Sequence, residues 1–318
     1  MSDRKLIRLG KSGIEYLDYV WNLYSGCKHK EQGPGPSGAE AKCPPVPCWA
    51  EVLIHRHPEF YPDGFAPTFY PEAFLSPLGL KGKGKPLDSA RGKRIGVCFM
   101  GDLFGDWVNP RKTFPIDLGY AKFDEMLYVT IKNTILKCPR HTFIFLTKNP
   151  AGLKAWSPFP DNCHVGFSAW SPESFIEGLR CITQVEAKVK WVSLEPMLDW
   201  SEQVAGNAWE LLDWVAIGAL TGTKKQMMAL APKYPALTPW KLSAKGNRWG
   251  LMPPVAWLKN IVGQLDAAGT KVFIKDNLYT WLMEIPHEDL FWEDMSNLRQ
   301  EFGARESKKA SAPDGGSQ

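Results

Sequence analysis

What most constrains this chain is a series of short, uninterrupted apolar runs, each followed by a polar or amphipathic segment. Ile95–Met100 (IGVCFM), His141–Leu146 (HTFIFL), Cys163–Phe167 (CHVGF), Val189–Leu194 (VKWVSL), Asp213–Gly218 (DWVAIG) and Lys271–Ile274 (KVFI) all have strand length. Strands that lack polar alternation are buried on both faces, as in parallel sheets covered by helices. Leu17–Tyr24 (LDYVWNLY), rich in aromatic and branched residues, reads as the first strand. The intervening segments carry helix signals. CWAEVLIHRH from Cys48 is helical in pattern, and Thr113 is placed to cap a stripe of Ile116, Tyr120, Phe123, Leu127, Ile131 and Ile135. Ser171-Pro172-Glu173 supplies a cap, a first-turn proline and an acid at the positive end of the helix dipole. Further helices are expected near Ser201–Leu212 and Pro253–Ala268, the latter ended by Gly269. About seven strand–helix units with right-handed crossovers predict an α/β fold, a partial or full (β/α) barrel of parallel strands.

At 318 residues the chain suits one large domain. We place that domain at 1–303, with a polar, disordered tail at 304–318 (ending RESKKASAPDGGSQ). Three loops interrupt the alternation: a Gly/Pro-rich cysteine loop at 25–48, a basic loop at 76–94 and a polar, basic stretch at 221–250. The start MSDRKLIRLG has no apolar signal core, and no run of about eighteen apolar residues exists, which argues against a membrane span. Seven cysteines, an odd number, fit a reducing compartment and a cytoplasmic location. The net charge of +4 does not by itself imply a nucleic-acid partner, and the fourteen tryptophans read first as core.

In such folds ligands bind at the C-terminal ends of the strands. There the sequence places Asn22 and Ser25-Gly26-Cys27, then Gly101-Asp102, Thr147-Lys148-Asn149, Ser168, Glu195-Pro196, Thr221-Gly222 and Lys275-Asp276-Asn277. Polar residues after every strand imply one shared polar pocket. Cys27, Cys43 and Cys48, separated by fifteen and four residues, lie on one loop beside a strand end. Three thiolates from one loop can hold an iron–sulfur cluster with one iron left open, or zinc with His29 as a fourth ligand. Cys98, Cys138, Cys163 and Cys181 fall in strands or helices and read as core thiols. Asp102 suits either ligand contact or holding a loop. Glu195 suits either ligand contact or an ion network with Lys148 or Lys275, because a lone buried charge is costly. Lys148 is a point charge for carboxylate or phosphate. No Walker loop, GxSxG elbow, HExxH or strand-borne GxGxxG is present.

WNLYSGC (21–27), CWAE (48–51), GDLFGDWV (101–108), HTFIFLTKNP (141–150), VGFSAW (165–170), VSLEPML (192–198), DWVAIGALTG (213–222) and VFIKDNL (272–278) occur in this order. Together they resemble the phage gp-thirty-seven/gp-sixty-eight protein family, which in turn is similar to radical S-adenosylmethionine (SAM) enzymes. That resemblance implies a [4Fe–4S] cluster on Cys27, Cys43 and Cys48, and SAM as cofactor. It implies contacts to SAM from Gly101, Asp102 and Ser168, and catalytic or substrate-facing roles for Glu195, Lys148 and Lys275. It further implies generation of a 5′-deoxyadenosyl radical and an electron donor as partner. The phage association and the basic loops make nucleic acid or a nucleoside the expected substrate. A zinc-containing, non-catalytic nucleic-acid-binding protein is the alternative.

Overall fold

A computed structural model describes residues 9–29, 43–78, 92–117, 119, 121–200, 204, 206–242, 247–285 and 298. The tail at 304–318, most of the basic loop at 76–94 and the middle of the cysteine loop lie outside the described residues.

The chain begins with β1 (Leu9–Lys11), β2 (Tyr19–Trp21), β3 (Tyr24–Ser25), α1 (Trp49–Arg56) and β4 (Thr68–Phe69). Next come β5 (Arg94–Val97), the hairpin strands β6 (Thr113–Asp117) and β7 (Lys122–Met126), α2 (Leu127–Leu136) and β8 (Thr142–Thr147). Then follow β9 (Cys163–Ala169), α3 (Pro172–Ile182), β10 (Val189–Leu194), β11 (Trp214–Ile217), β12 (Leu220–Gly222) and α4 (Lys224–Leu230). The described chain ends with β13 (Thr238–Lys241), β14 (Trp249–Met252), α5 (Val255–Ala268), β15 (Lys271–Ile274) and α6 (Asp276–Leu282).

Eight strands form the central sheet in the order β1-β2-β5-β8-β9-β10-β11-β15. From β2 to β15 every pairing is parallel, and β1 adds an antiparallel edge. The fold is therefore mixed α/β with a mostly parallel sheet, as the apolar runs predict. The sheet is an open, partial barrel: β1 and β15 do not pair with one another among the described residues. A segment rather than a ladder joins its two sides. Glu15 accepts a hydrogen bond from the Asp276 backbone N–H at 3.0 Å, and the Tyr16 ring meets Phe273 edge-on at 6.0 Å.

Two cores follow from the period-two alternation of the strands. Phe143, Phe145, Val165, Phe167, Val192, Leu194, Val215, Ile217, Val272 and Ile274 face the outer layer of α2, α3 and α5, whose Ile131, Phe175, Leu179, Ile261 and Leu265 join the same cluster. The concave side buries Tyr16, Leu17, Ile144, Trp191, Trp214 and Ala216. Tyr16 packs edge-on against both indoles, at 5.8 Å and 5.3 Å, and so plugs the floor of the barrel. Each such aromatic contributes roughly 1.5–3 kcal/mol by leaving water.

Three expectations need correction. The stripe read after Thr113 as one helix divides: β6 and β7 form an antiparallel hairpin, and only Leu127–Leu136 is helical. Pro115 lacks the N–H a helix interior needs, and Gly119 takes a left-handed φ of 89° in the hairpin turn. Phe123 is consequently exposed rather than part of a buried stripe. The helix expected at Ser201–Leu212 is a 3₁₀ segment over Gly206–Leu211 among the described residues. The stretch 221–250 is not a loop: it carries α4 and most of a three-stranded antiparallel sheet ordered β12-β14-β13. Leu220, Leu251, Met227 and Leu230 give that subassembly its own apolar core. By contrast Gly269, with φ 66°, does cap α5, and Ser171 caps α3, reinforced by Ser174 in a capping box.

Candidate functional site

The register of the central strands sets the site in rows. Leu146, Gly166, Trp191, Trp214 and Lys271 lie side by side. Two residues further along, the next concave row holds Ser168, Ser193, Ala216 and Phe273. One row beyond stand Glu195, Gly218 and Lys275, at the C-terminal rim. Alternation assigns Lys148, just past the end of β8, to the same face as Leu146. The barrel thus changes from aromatic at its floor to polar at its mouth.

At that mouth the Lys275 ammonium donates to both oxygens of Glu195, at 2.9 Å and 2.8 Å. The Lys275 side chain is 12% exposed and that of Glu195 is 28% exposed. Gly218 leaves the space this carboxylate occupies, since a Cβ there would fall 2.7 Å from Glu195 Oε1. Asn277 ties the rim together: its Oδ1 accepts from the Ala219 N–H at 3.2 Å and its Nδ2 donates to the Ala219 carbonyl at 3.1 Å. Burial by itself lowers the Lys275 pKa, but the charges of Glu195 and Glu15 outweigh it and hold the ammonium above its ordinary range. Arg248, a residue the sequence did not single out, opposes them by its own positive charge. It precedes β14, so the small sheet brings a cation to this side of the mouth. Ser168 is buried on its strand, whereas the Lys148 side chain, half-buried, has no ion-pair or hydrogen-bond partner among the described residues.

A second cluster sits where the cysteine loop leaves the barrel. Gly26, with φ 85°, and Gly101 run in contact as an isolated parallel bridge. A Cβ on Gly26 would lie 2.2 Å from the Ala66 carbonyl oxygen, and one on Gly101 would lie 2.4 Å from the Gly26 oxygen. Gly101 is therefore a backbone-contact glycine that seats the start of the cysteine loop. Asp102, buried, accepts hydrogen bonds from the Phe104 N–H at 3.0 Å, the Thr147 hydroxyl at 2.7 Å and the Lys148 N–H at 2.9 Å. His29 Nε2 lies 2.8 Å from Asp102 Oδ2. Burial works against the charge on Asp102, but these hydrogen bonds and the His29 imidazole overcome it and hold the carboxyl below its usual pKa. Both oxygens of Asp102 are taken up by protein donors, which makes it the clamp joining β5, β8 and the cysteine loop. The His29 ring is 2% exposed by side chain, meets Trp107 edge-on at 4.9 Å, and leaves its Nδ1 without a hydrogen-bond partner among the described residues.

Cys27, Cys43 and Cys48 form no disulfide, and each is partly exposed. The Cys27 sulfur accepts the His29 backbone N–H at 3.4 Å. Burial raises the Cys27 pKa well above the usual thiol range, and the charges of Asp102, Cys43 and Cys48 push it further. Among the described residues, however, no three His, Cys, Asp or Glu side chains stand close enough together to hold a metal ion. Thiolates are the donor type that a metal or cluster takes. Cys98, Cys138 and Cys163 are buried, and Cys181 is half-buried on α3. Cys98 takes a left-handed φ of 58° and its backbone N–H donates to the Trp21 carbonyl at 2.9 Å, so it fastens the end of β5 to β2.

Fold and site together define a class: a partial parallel barrel with a polar, charged mouth and a cysteine loop after its first parallel strand. The chain belongs to the family described as protein of unknown function (DUF5131), whose model matches residues 11–233. No curated protein matches it. Among solved structures it is similar to a cysteine-to-alanine mutant of spore photoproduct lyase with dinucleoside spore photoproduct, at 10% identity and a TM-score of 0.45. A tyrosine-to-phenylalanine mutant of the same lyase gives 11% identity and a TM-score of 0.45. In both cases the match covers 85% of this chain and 79% of the other. No helix among the described residues is long and apolar enough to cross a membrane.

Proposed function

We propose that this protein is a radical-SAM-type iron–sulfur enzyme, with Cys27, Cys43 and Cys48 as the cluster ligands. The observation that carries this reading is the position of three cysteines, none in a disulfide, on the loop leaving the first parallel strand, at the C-terminal mouth of a parallel partial barrel. A bound [4Fe–4S] cluster would supply one electron to cleave SAM to methionine and a 5′-deoxyadenosyl radical. The chain's own residues orient and seclude. Tyr16, Trp191 and Trp214 close the floor against water. Ser168 offers a hydroxyl for a ribose, and the Lys148 ammonium offers a charge for a carboxylate or phosphate. The Glu195 carboxylate, held on two sides by Lys275, presents a fixed acceptor for a substrate amine or hydroxyl. Asp102 and Gly101 act by seating the cysteine loop.

Nucleic acid or a nucleoside is the substrate class this reading favours. Arg248 at the mouth and Lys224, stacked 5.1 Å over the Trp249 ring, supply cations beside an aromatic face.

The test is reductive SAM cleavage. Protein loaded with iron and sulfide, given dithionite and SAM without air, is expected to release 5′-deoxyadenosine, and a Cys48→Ala variant to release none. Fully loaded wild-type protein that leaves SAM intact refutes SAM chemistry. Binding to single-stranded DNA or RNA that does not weaken with salt would refute phosphate contact.

A further inference from the structure

Resting on the nucleoside reading of the substrate, we infer that Asn22 recognises the base: its carboxamide pairs with the hydrogen-bonding edge of a nucleobase held inside the barrel. Asn22 follows directly on β2, and its neighbours fix the way it faces. Trp21 before it and Leu23 after it both belong to the outer core, whereas Val20 packs with the concave cluster. Alternation therefore turns the Asn22 side chain toward the concave side, two residues beyond Val20 on the same face. The residue is 6% exposed, and its Oδ1 is buried with no hydrogen-bond partner among the described residues. The other buried asparagines among the described residues differ. Asn149 donates to the Phe104 carbonyl at 2.8 Å and to Asp106 at 2.7 Å, and Asn277 both donates to and accepts from Ala219.

A buried amide oxygen left unpaired is costly, and native folds retain one chiefly where a ligand or water satisfies it. The surroundings select the ligand. Phe99, Leu146 and Phe273 pack on the concave cluster and are only half-buried, so they line the space above the sealed floor. Apolar, partly aromatic walls with one buried amide suit a planar ring that makes its polar contacts along one edge. A carboxamide offers an acceptor and a donor side by side, and the matching donor–acceptor pair recurs on nucleobase edges. Lys148 stands two residues beyond Leu146 on the same face, nearer the mouth, where its ammonium can hold a phosphate. A nucleotide thus enters base first. Asn22 is a specificity-determining residue that touches the substrate away from the reacting atoms.

The experiment titrates the full chain, kept without air, with each of the four deoxynucleoside 5′-monophosphates, with deoxyribose 5-phosphate and with SAM, read by calorimetry. Wild type is expected to bind at least one nucleotide about 10- to 100-fold more tightly than deoxyribose 5-phosphate. Asn22→Leu, close in volume, is expected to abolish that preference while leaving deoxyribose 5-phosphate and SAM bound as in wild type. A structural defect would weaken all of these ligands together; in that event Asn22→Ser replaces the leucine variant, with the same outcome expected. A preference that survives in the folded variant overturns the role of Asn22 and leaves the nucleoside reading standing. Loss of SAM binding in place of nucleotide binding overturns the assignment to substrate. Wild type that binds no nucleotide, or binds deoxyribose 5-phosphate equally well, overturns both the inference and the nucleoside reading, whatever the variants do. SAM cleavage is read separately, so its failure is distinguishable from all of these results.

Discussion

Lys275→Met tests whether the charged mouth is held by the Glu195 pair. The substitution keeps most of the aliphatic stem and removes the ammonium that contacts both carboxylate oxygens at 2.8–2.9 Å. Among the described residues Glu195 would retain only the long contact from Asn277 Nδ2, at 3.5 Å. Breaking a buried pair by deleting one partner costs about 3–5 kcal/mol. Glu195 is 28% exposed, so water recovers part of that loss and the lower end, about 3 kcal/mol, is expected. With a urea slope near ~3 kcal/mol/M for a chain of this size, the unfolding midpoint falls by about 1 M. The double variant Glu195→Gln/Lys275→Met leaves no orphaned charge and should recover roughly half of the loss. The pH dependence has a definite sign. The Lys275 pKa is raised above its ordinary 10.5, so the pair's contribution is complete below that value and is lost as pH climbs through the higher folded pKa. The gap between wild type and Lys275→Met is therefore flat through neutral pH and narrows only in strongly alkaline buffer. A midpoint shift below about 0.2 M, with simple additivity in the double variant, would refute the reasoning.

Other outcomes follow from the same geometry. His164 has its pKa lowered by burial from 6.5 to about 4, so it weakens the fold as pH falls through that interval; His164→Gln should lose about 3 kcal/mol less stability than wild type between pH 7 and pH 4, and equal acid sensitivity would contradict this. Gly26→Ala forces a Cβ into the Ala66 carbonyl at a left-handed φ, and should destabilise by more than about 2 kcal/mol, read as a fall in Tm. Gly263→Ala on α5 meets nothing within 4 Å and should raise stability by about 0.5–1 kcal/mol. Trp191→Ala empties the floor of the barrel and should cost about 3–5 kcal/mol, checked by urea denaturation.

Much of the fold was legible because buried parallel strands leave a one-dimensional trace. IGVCFM, VKWVSL and KVFI carry no polar alternation, so they fixed strand identity and parallel pairing without any long-range information. The hairpin at Thr113–Met126 escaped because Ile116, Phe123 and Leu127 happen to fall at helical spacing, while the decisive features were Pro115 and the left-handed Gly119. The small sheet within 221–250 was missed because its polar, basic composition hides an apolar face formed only when Leu220 and Leu251 meet across strands. The site divides in the same way. Residues after strand ends could be named, and Glu195 with Lys275 was one of the pairings weighed. That Asp102 clamps His29 required three-dimensional proximity across 73 positions of sequence. Arg248 gave no signal either, because its approach to Lys275 depends on how β14 is carried across the mouth.

The central claim is that Cys27, Cys43 and Cys48 bind an iron–sulfur centre, and metal analysis without air tests it most directly. Wild-type protein purified and reconstituted under nitrogen, beside a Cys27→Ala/Cys43→Ala/Cys48→Ala variant, would be assayed for iron, sulfide and zinc and scanned for visible absorbance. The account predicts about four irons and four sulfides per chain, with a broad absorption near ~400 nm, all lost in the variant. Zinc in place of iron, or neither metal in a folded wild-type protein, would contradict it.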